Sequence, residues 1–172
     1  MTFLAAEHMI KSAIIQLFTT IMIVIACVSC SKVDSNRIPY YPVHIELDNA
    51  GLWNTYGVSG VGTYRKFIKS ERIPANFSYS AMSYTGFGGV LLMGDINAVP
   101  IAYDLACPVE AKKDVRVSVN DAYEAVCPVC GSTYNILEAS GAPMSGKAIE
   151  LKYGLQRYNV VKASIDGYII QR

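Results

Sequence analysis

The sequence predicts an all-β domain behind an amino-terminal export segment. Apolar and polar residues alternate with period two over residues 43–47 and 115–119, as in strands with one buried face. The chain holds 12 tyrosines, with abundant Val and Ile, residue types that suit a pleated, half-buried surface. Beyond the amino terminus no long stretch repeats at the helical period.

Taken in order, Arg37-Ile38-Pro39-Tyr40-Tyr41-Pro42 reads as extended chain, because each proline disfavours helix at the preceding residue. Val43, Ile45 and Leu47 alternate with His44, Glu46 and Asp48 as the first strand. Residues 49–64, rich in Gly, Asn, Ser and aromatics, read as irregular loop. Strand candidates follow at 62–68, 77–82 and 89–93, then a Gly94-Asp95 turn and a strand over 100–105. Val115, Val117 and Val119 form the next strand, and Asn120-Asp121 turns the chain into 123–126. Residues 156–162 and 168–171 make a closing hairpin around Ser164-Ile165-Asp166-Gly167. Val43, Ile45, Leu47, Leu91, Val160 and Ile169 are the expected core of the base.

The amino terminus reads as a leader. Lys11 precedes an apolar run over 13–26, broken only by Gln16, Thr19 and Thr20, and two cysteines follow, Cys27 and Cys30. A basic start, an apolar stretch of this length and small residues before a cysteine describe a secretory signal. Val28-Ser29-Cys30-Ser31-Lys32 resembles a bacterial lipobox, in which the cysteine after the cleavage site is lipidated. Val24-Ile25-Ala26-Cys27 is a rival site, and a plain amino-terminal membrane anchor is the alternative. The preferred division is a signal over 1–29, a lipid anchor at Cys30 with a tether over 30–42, and one domain over 43–172. Such a protein is exported and held on a membrane, facing the periplasm or the cell surface. Fifteen basic residues against 14 acidic ones give a net charge of +1, with no basic block, which argues against nucleic acid as a partner.

Two short motifs carry the chemistry. Cys107-Pro108-Val109-Glu110 and Cys127-Pro128-Val129-Cys130-Gly131-Ser132 share a backbone plan. In a Cys-Pro-x-Cys-Gly turn, proline fixes φ and glycine lets the chain fold back with amide N–H groups facing sulfur. Two such turns facing each other make a four-ligand metal pocket, here with Cys107, Cys127, Cys130 and Glu110 as candidate ligands. Outside the cytoplasm three cysteines are an odd number, so at least one is unpaired unless a metal takes all three.

The order strand, Cys-Pro loop, hairpin, second Cys-Pro loop and glycine-spaced tail resembles the Rieske-type domains. The resemblance spans about residues 89–172. It is most specific at Ile101-Ala102-Tyr103-Asp104-Leu105-Ala106-Cys107-Pro108 and at Cys127-Pro128-Val129-Cys130-Gly131-Ser132-Thr133-Tyr134-Asn135. Gly141, Pro143, Gly146 and Ala148 look like the family's following glycine–proline stretch. It implies an antiparallel β base bearing a small, two-loop, rubredoxin-like subdomain, here about residues 100–148. It also implies a [2Fe–2S] cluster held by one Cys and one His from each loop. The chain keeps Cys107 and Cys127. Val109 stands at the first histidine position and Cys130 at the second. Ser132 and Tyr134 match residues whose hydroxyls, in parts of the family, hydrogen-bond the cluster or a ligating sulfur and raise its potential. A [2Fe–2S] centre with thiolates in place of histidines carries more negative charge, hence a lower potential.

Three readings of the pocket remain open. It holds zinc or an iron–sulfur centre, and the protein passes electrons to a redox partner. It has lost its cluster and, with a disulfide in the old pocket, serves as a binding or structural module. Or Cys127-x-x-Cys130 is a thiol–disulfide centre, although no thioredoxin-like βαβ pattern surrounds it. Catalysis by a Ser-His-Asp set would have to use His44, the one histidine after residue 30, and no nucleophile turn accompanies it. Gly57-Val58-Ser59-Gly60-Val61-Gly62 lacks the lysine and helix of a phosphate loop. An electron-transfer or binding protein is therefore expected rather than an enzyme.

Overall fold

The computed structural model describes residue 16 and residues 32–172, of which Val33–Arg172 form one compact unit. The leader, both candidate lipidation cysteines Cys27 and Cys30, and the start of the tether lie outside the described residues. No helix among the described residues is long and apolar enough to cross a membrane.

The fold is all-β, and every pair of named strands is antiparallel. The larger sheet contains β1 (Val43–Leu47), β2 (Tyr64–Phe67), β3 (Tyr84–Thr85), β4 (Val90–Gly94), β5 (Pro100–Asp104), β10 (Arg157–Ser164) and β11 (Gly167–Gln171). Its strand order is β2-β4-β5-β10-β11-β1-β3. The smaller sheet is β6 (Ser118–Val119), β7 (Glu124–Val126), β8 (Thr133–Asn135) and β9 (Pro143–Ser145), in sequence order. Two short helices complete the set, α1 (Ala50–Tyr56) and α2 (Lys147–Leu151).

β4 and β5 are buried on both faces, which is why Val90-Leu91-Leu92-Met93 reads as an unbroken apolar run. Val90 and Leu92 face a cluster with Val43, Ile45, Leu47 and Phe67. Leu91 and Met93 face a second cluster that continues through Tyr103 and Leu105 into the cysteine loops. The pocket is thus an extension of the core. Burying these side chains removes about 1.5–3 kcal/mol each of unfavourable exposure, before the entropy of ordering them is set against it.

The first strand falls on the expected residues, with Val43, Ile45 and Leu47 buried. Four expectations need correction. Residues 49–64 contain helix α1, started by Asn49, whose side chain accepts the Leu52 N–H at 3.0 Å, a cap that offsets the cost of Gly51 inside a short helix. Trp53 on this helix packs against Tyr168 in a tilted pair, with ring centroids 4.4 Å apart. Residues 77–82 form no strand. Phe77 packs against Tyr56, Phe67 and Tyr79, and the hydroxyls of Ser80 and Ser83 bind nearby main-chain amides, which competes with a ladder. Ile170, and not Ile169, is the fully buried isoleucine of β11. It sits in register with Ile45 on one side and Val160 on the other, so the three share a face, with Val160 half-buried. The amino-terminal tether is also shorter than expected. Asp34 pairs with Tyr153, donating to Lys152 O and accepting from Gly154 N–H, each at 2.8 Å, and Ile38 is buried.

Candidate metal centre

The two Cys-Pro turns are structural twins. The Ala111 N–H donates to Cys107 O at 2.8 Å, and the Gly131 N–H donates to Cys127 O at 3.0 Å. The closing residue of each turn lies in the left-handed region, Ala111 at φ 49° and Gly131 at φ 68°. Glycine takes that conformation freely, whereas Ala111 holds it at a cost its surroundings must offset. Each turn is tied down on its carboxyl side. Cys107 N–H donates to Val115 O at 2.9 Å, and Cys127 N–H to Ser132 O at 3.0 Å.

The twin turns bring Cys107, Cys127 and Cys130 together, with their three Sγ atoms all within 4.8 Å of one another. Cys107 and Cys127 are buried and Cys130 is half-buried. Cys107 and Cys130 are the closest described contact, Sγ to Sγ at 3.7 Å, and all three are free thiols. Glu110 does not join them: the group of gathered ligand atoms holds the three sulfurs alone. Its position in the first turn matches that of Cys130 in the second, but its side chain is longer and half-exposed, so shared turn geometry does not deliver the carboxylate. Val109 packs against the core cluster and brings no donor atom.

Around the sulfurs stand the hydroxyls expected from sequence. Tyr134 is fully buried, with its hydroxyl 3.5 Å from Cys107 Sγ. Ser132 is fully buried too. Its Oγ accepts the Ala148 N–H of α2 at 3.1 Å and lies 3.3 Å from Cys130 Sγ. The Cys130 thiol donates in that contact; once Cys130 is a thiolate, the direction reverses and the serine hydroxyl donates. Accepting from Ala148 holds the serine in place for either role.

The three thiols differ electrostatically. Burial pushes Cys107 up to about 12, against hydrogen bonds from the Tyr134 hydroxyl and from the Glu110 and Val109 amides, which lower it. Burial also raises Cys130, but hydrogen bonds from the Ser132 hydroxyl and amide, and from Cys127 and Cys107, outweigh it and leave that thiol below its ordinary value. Tyr134 is raised by burial first and then by Cys107, so its phenol keeps its proton as a donor. An array of donors facing sulfur with a cheap thiolate at its rim is what a soft cation needs, because metal must replace the protons.

Sequence reasoning missed Asp104. It is fully buried at the end of β5, three residues before Cys107. Oδ1 accepts the N–H groups of Gly88 at 2.9 Å and Ala106 at 2.7 Å; Oδ2 accepts Phe87 N–H at 2.9 Å and the Tyr158 hydroxyl. It therefore fastens the 86–89 loop and the base strand β10 to the root of the first cysteine turn. The main chain approaches so closely that a Cβ on Gly88 would lie 2.5 Å from Ala106 N. The signal was available, since a carboxylate in the apolar run Ile101-Ala102-Tyr103-Asp104-Leu105 must find several donors.

Compared with known proteins, the chain matches no family model, no curated protein and no solved structure.

Proposed function

We propose that this is an exported, lipid-anchored, Rieske-like module that binds a metal centre through Cys107, Cys127 and Cys130. The observation that carries the reading is the convergence of three sulfurs from twin turns within 4.8 Å. Support also comes from a small two-loop sheet set against a larger antiparallel one, and from Ser132 and Tyr134 beside the sulfurs. The donor set fits a zinc ion with one further ligand, and fits three of the four attachment points of a [2Fe–2S] cluster. When bound, a cluster supplies one-electron transfer to a redox partner, whereas zinc clamps the two turns. The chain's own contribution is to donate hydrogen bonds to the thiolates from Tyr134, Ser132 and the turn amides, and to exclude water from Cys107 and Cys127. A second reading is a cofactor-free module with a Cys107–Cys130 disulfide, favoured by the 3.7 Å contact.

Metal analysis with an absorption spectrum tests both, on protein made anaerobically with iron and, separately, with zinc. About two irons per chain with thiolate-to-iron charge-transfer bands identify the cluster. One zinc, lost in Cys130→Ser, identifies the clamp. A metal-free protein under both conditions overturns the reading in favour of the disulfide.

The anchor has its own test. Mass spectrometry of membrane-extracted protein should find an acylated cysteine at a new amino terminus at Cys30, and Cys30→Ala should release the protein from the membrane. Release by Cys27→Ala with retention of Cys30→Ala moves the anchor to Cys27. An unprocessed leader in the extracted protein rules out lipidation.

A further inference from the structure

We infer that the metal site keeps one coordination position open, and that this position takes a neutral nitrogen donor of the imidazole class from outside the chain. The inference deepens the metal reading above and rests on it. The twin turns define four places from which a ligand can reach the centre, 107 and 110 in one turn, 127 and 130 in the other. Three are filled by sulfur. The fourth belongs to Glu110, whose carboxylate stands outside the gathered ligand atoms. The two side chains between them in the first turn, Pro108 and Val109, have nothing to donate.

The open position is reachable. Cys107 and Cys127 form the buried floor, while Cys130 and Glu110 are half-exposed and Val129, between Cys127 and Cys130, is 63% exposed. The vacant place therefore lies at the rim of the pocket. A centre with three protein ligands and one exchangeable position at its rim has the pattern of a ligand-binding metal rather than a sealed structural one.

Charge selects the ligand. Three thiolates already overcompensate a divalent ion, leaving the site at −1. An anionic fourth ligand would deepen that charge beside a dry core, where unbalanced charge is expensive. A neutral imidazole, such as a partner's histidine side chain, brings a strong donor and a flat apolar ring without adding charge. It displaces a water; one coordinate bond forms as another breaks, and no electrons or protons change hands.

The test uses the full chain in detergent, loaded anaerobically with cobalt(II), whose ligand-field bands report the donor set. Imidazole should shift these bands saturably, and azide at equal concentration should leave them in place. Glu110→Gln should give the wild-type spectrum and the same imidazole response. Glu110→Cys, whose thiolate the turn already holds at the site so that it need not be drawn from solution, should add sulfur-to-cobalt charge-transfer intensity and abolish that response by closing the position. Bands that ignore imidazole, or a Glu110→Gln spectrum already altered, would overturn the open position while leaving the metal reading intact. Absence of any sulfur-to-cobalt band removes the single-ion site and the open position with it.

Discussion

Asp104→Ala is expected to cost about 3–5 kcal/mol of folding stability, because it strips the acceptor from four buried or half-buried donors at once. The amides of Phe87, Gly88 and Ala106 and the hydroxyl of Tyr158 all terminate on this carboxylate. Nothing else described at that junction can replace it, and the close approach of Gly88 to Ala106 leaves no room for another side chain. In thermal unfolding the midpoint should fall by on the order of 10 °C or more. The graded series is the sharper check. Tyr158→Phe removes one of four donors and should cost about 1–2 kcal/mol. Asp104→Asn keeps one acceptor oxygen and should fall between Tyr158→Phe and Asp104→Ala. Equal losses for Tyr158→Phe and Asp104→Ala would show that the main-chain bonds contribute nothing.

Burial of the same residue gives stability a pH dependence whose sign follows from the direction of its shift. Burial raises the Asp104 carboxyl above its ordinary value, against the Tyr158 hydroxyl and the amides of Ala106, Phe87 and Gly88, which lower it. The folded protein then holds this proton to higher pH than the unfolded chain does. The associated stability is complete below the ordinary carboxylate value, about 4, and is lost as pH rises through the folded value. The stability gap between wild type and Asp104→Asn should therefore narrow as pH rises from about 4. A gap that widens over that interval contradicts the assignment.

Where sequence and structure agree, a single physical constraint governs both. Val43, Ile45 and Leu47 have polar neighbours, so alternation could only mean one buried face. In β11 the neighbouring Ile169 and Ile170 carry no alternation, and the choice between them is made by cross-strand register with Ile45 and Val160, which sequence does not contain. Helix α1 is capped by Asn49, but a seven-residue helix with Gly51 in its first turn shows no periodicity to read, so residues 49–64 read as loop. The cysteine turns were legible because proline, glycine and spacing determine the path of the main chain. Glu110 stands apart from the gathered sulfurs because the turn fixes where a Cβ points and not where a longer side chain ends. Asp104 escaped notice because three of its four partners come from loop 86–89 and from Tyr158, 54 residues away.

All three cysteine-to-serine variants are expected to lose the bound metal, and this equality is the signature that separates a metal centre from a disulfide. A hydroxyl is a poor ligand for a soft cation, so removing any one of three sulfurs leaves too few donors. Metal bound to the folded state alone stabilises it by about 4 kcal/mol when present at 1,000 times its dissociation constant. Cys107→Ser, Cys127→Ser and Cys130→Ser should each forfeit that contribution, and a strong chelator should bring the wild type to the level of Cys130→Ser. Beyond that shared loss, Cys107→Ser and Cys127→Ser should cost more than Cys130→Ser, since Cys107 and Cys127 are buried while Cys130 is half-exposed and its serine finds water. A disulfide demands a different pattern, because it uses two sulfurs and ignores the third. With Cys107 and Cys130 only 3.7 Å apart, that pair would be the bridge, and Cys127→Ser would be the one variant that keeps the wild type's loss of stability on reduction. Chelator would then change nothing, and a reductant would lower the midpoint instead. Melting curves of four proteins with and without chelator and reductant thus decide between three ligands to one ion and two sulfurs to one bond.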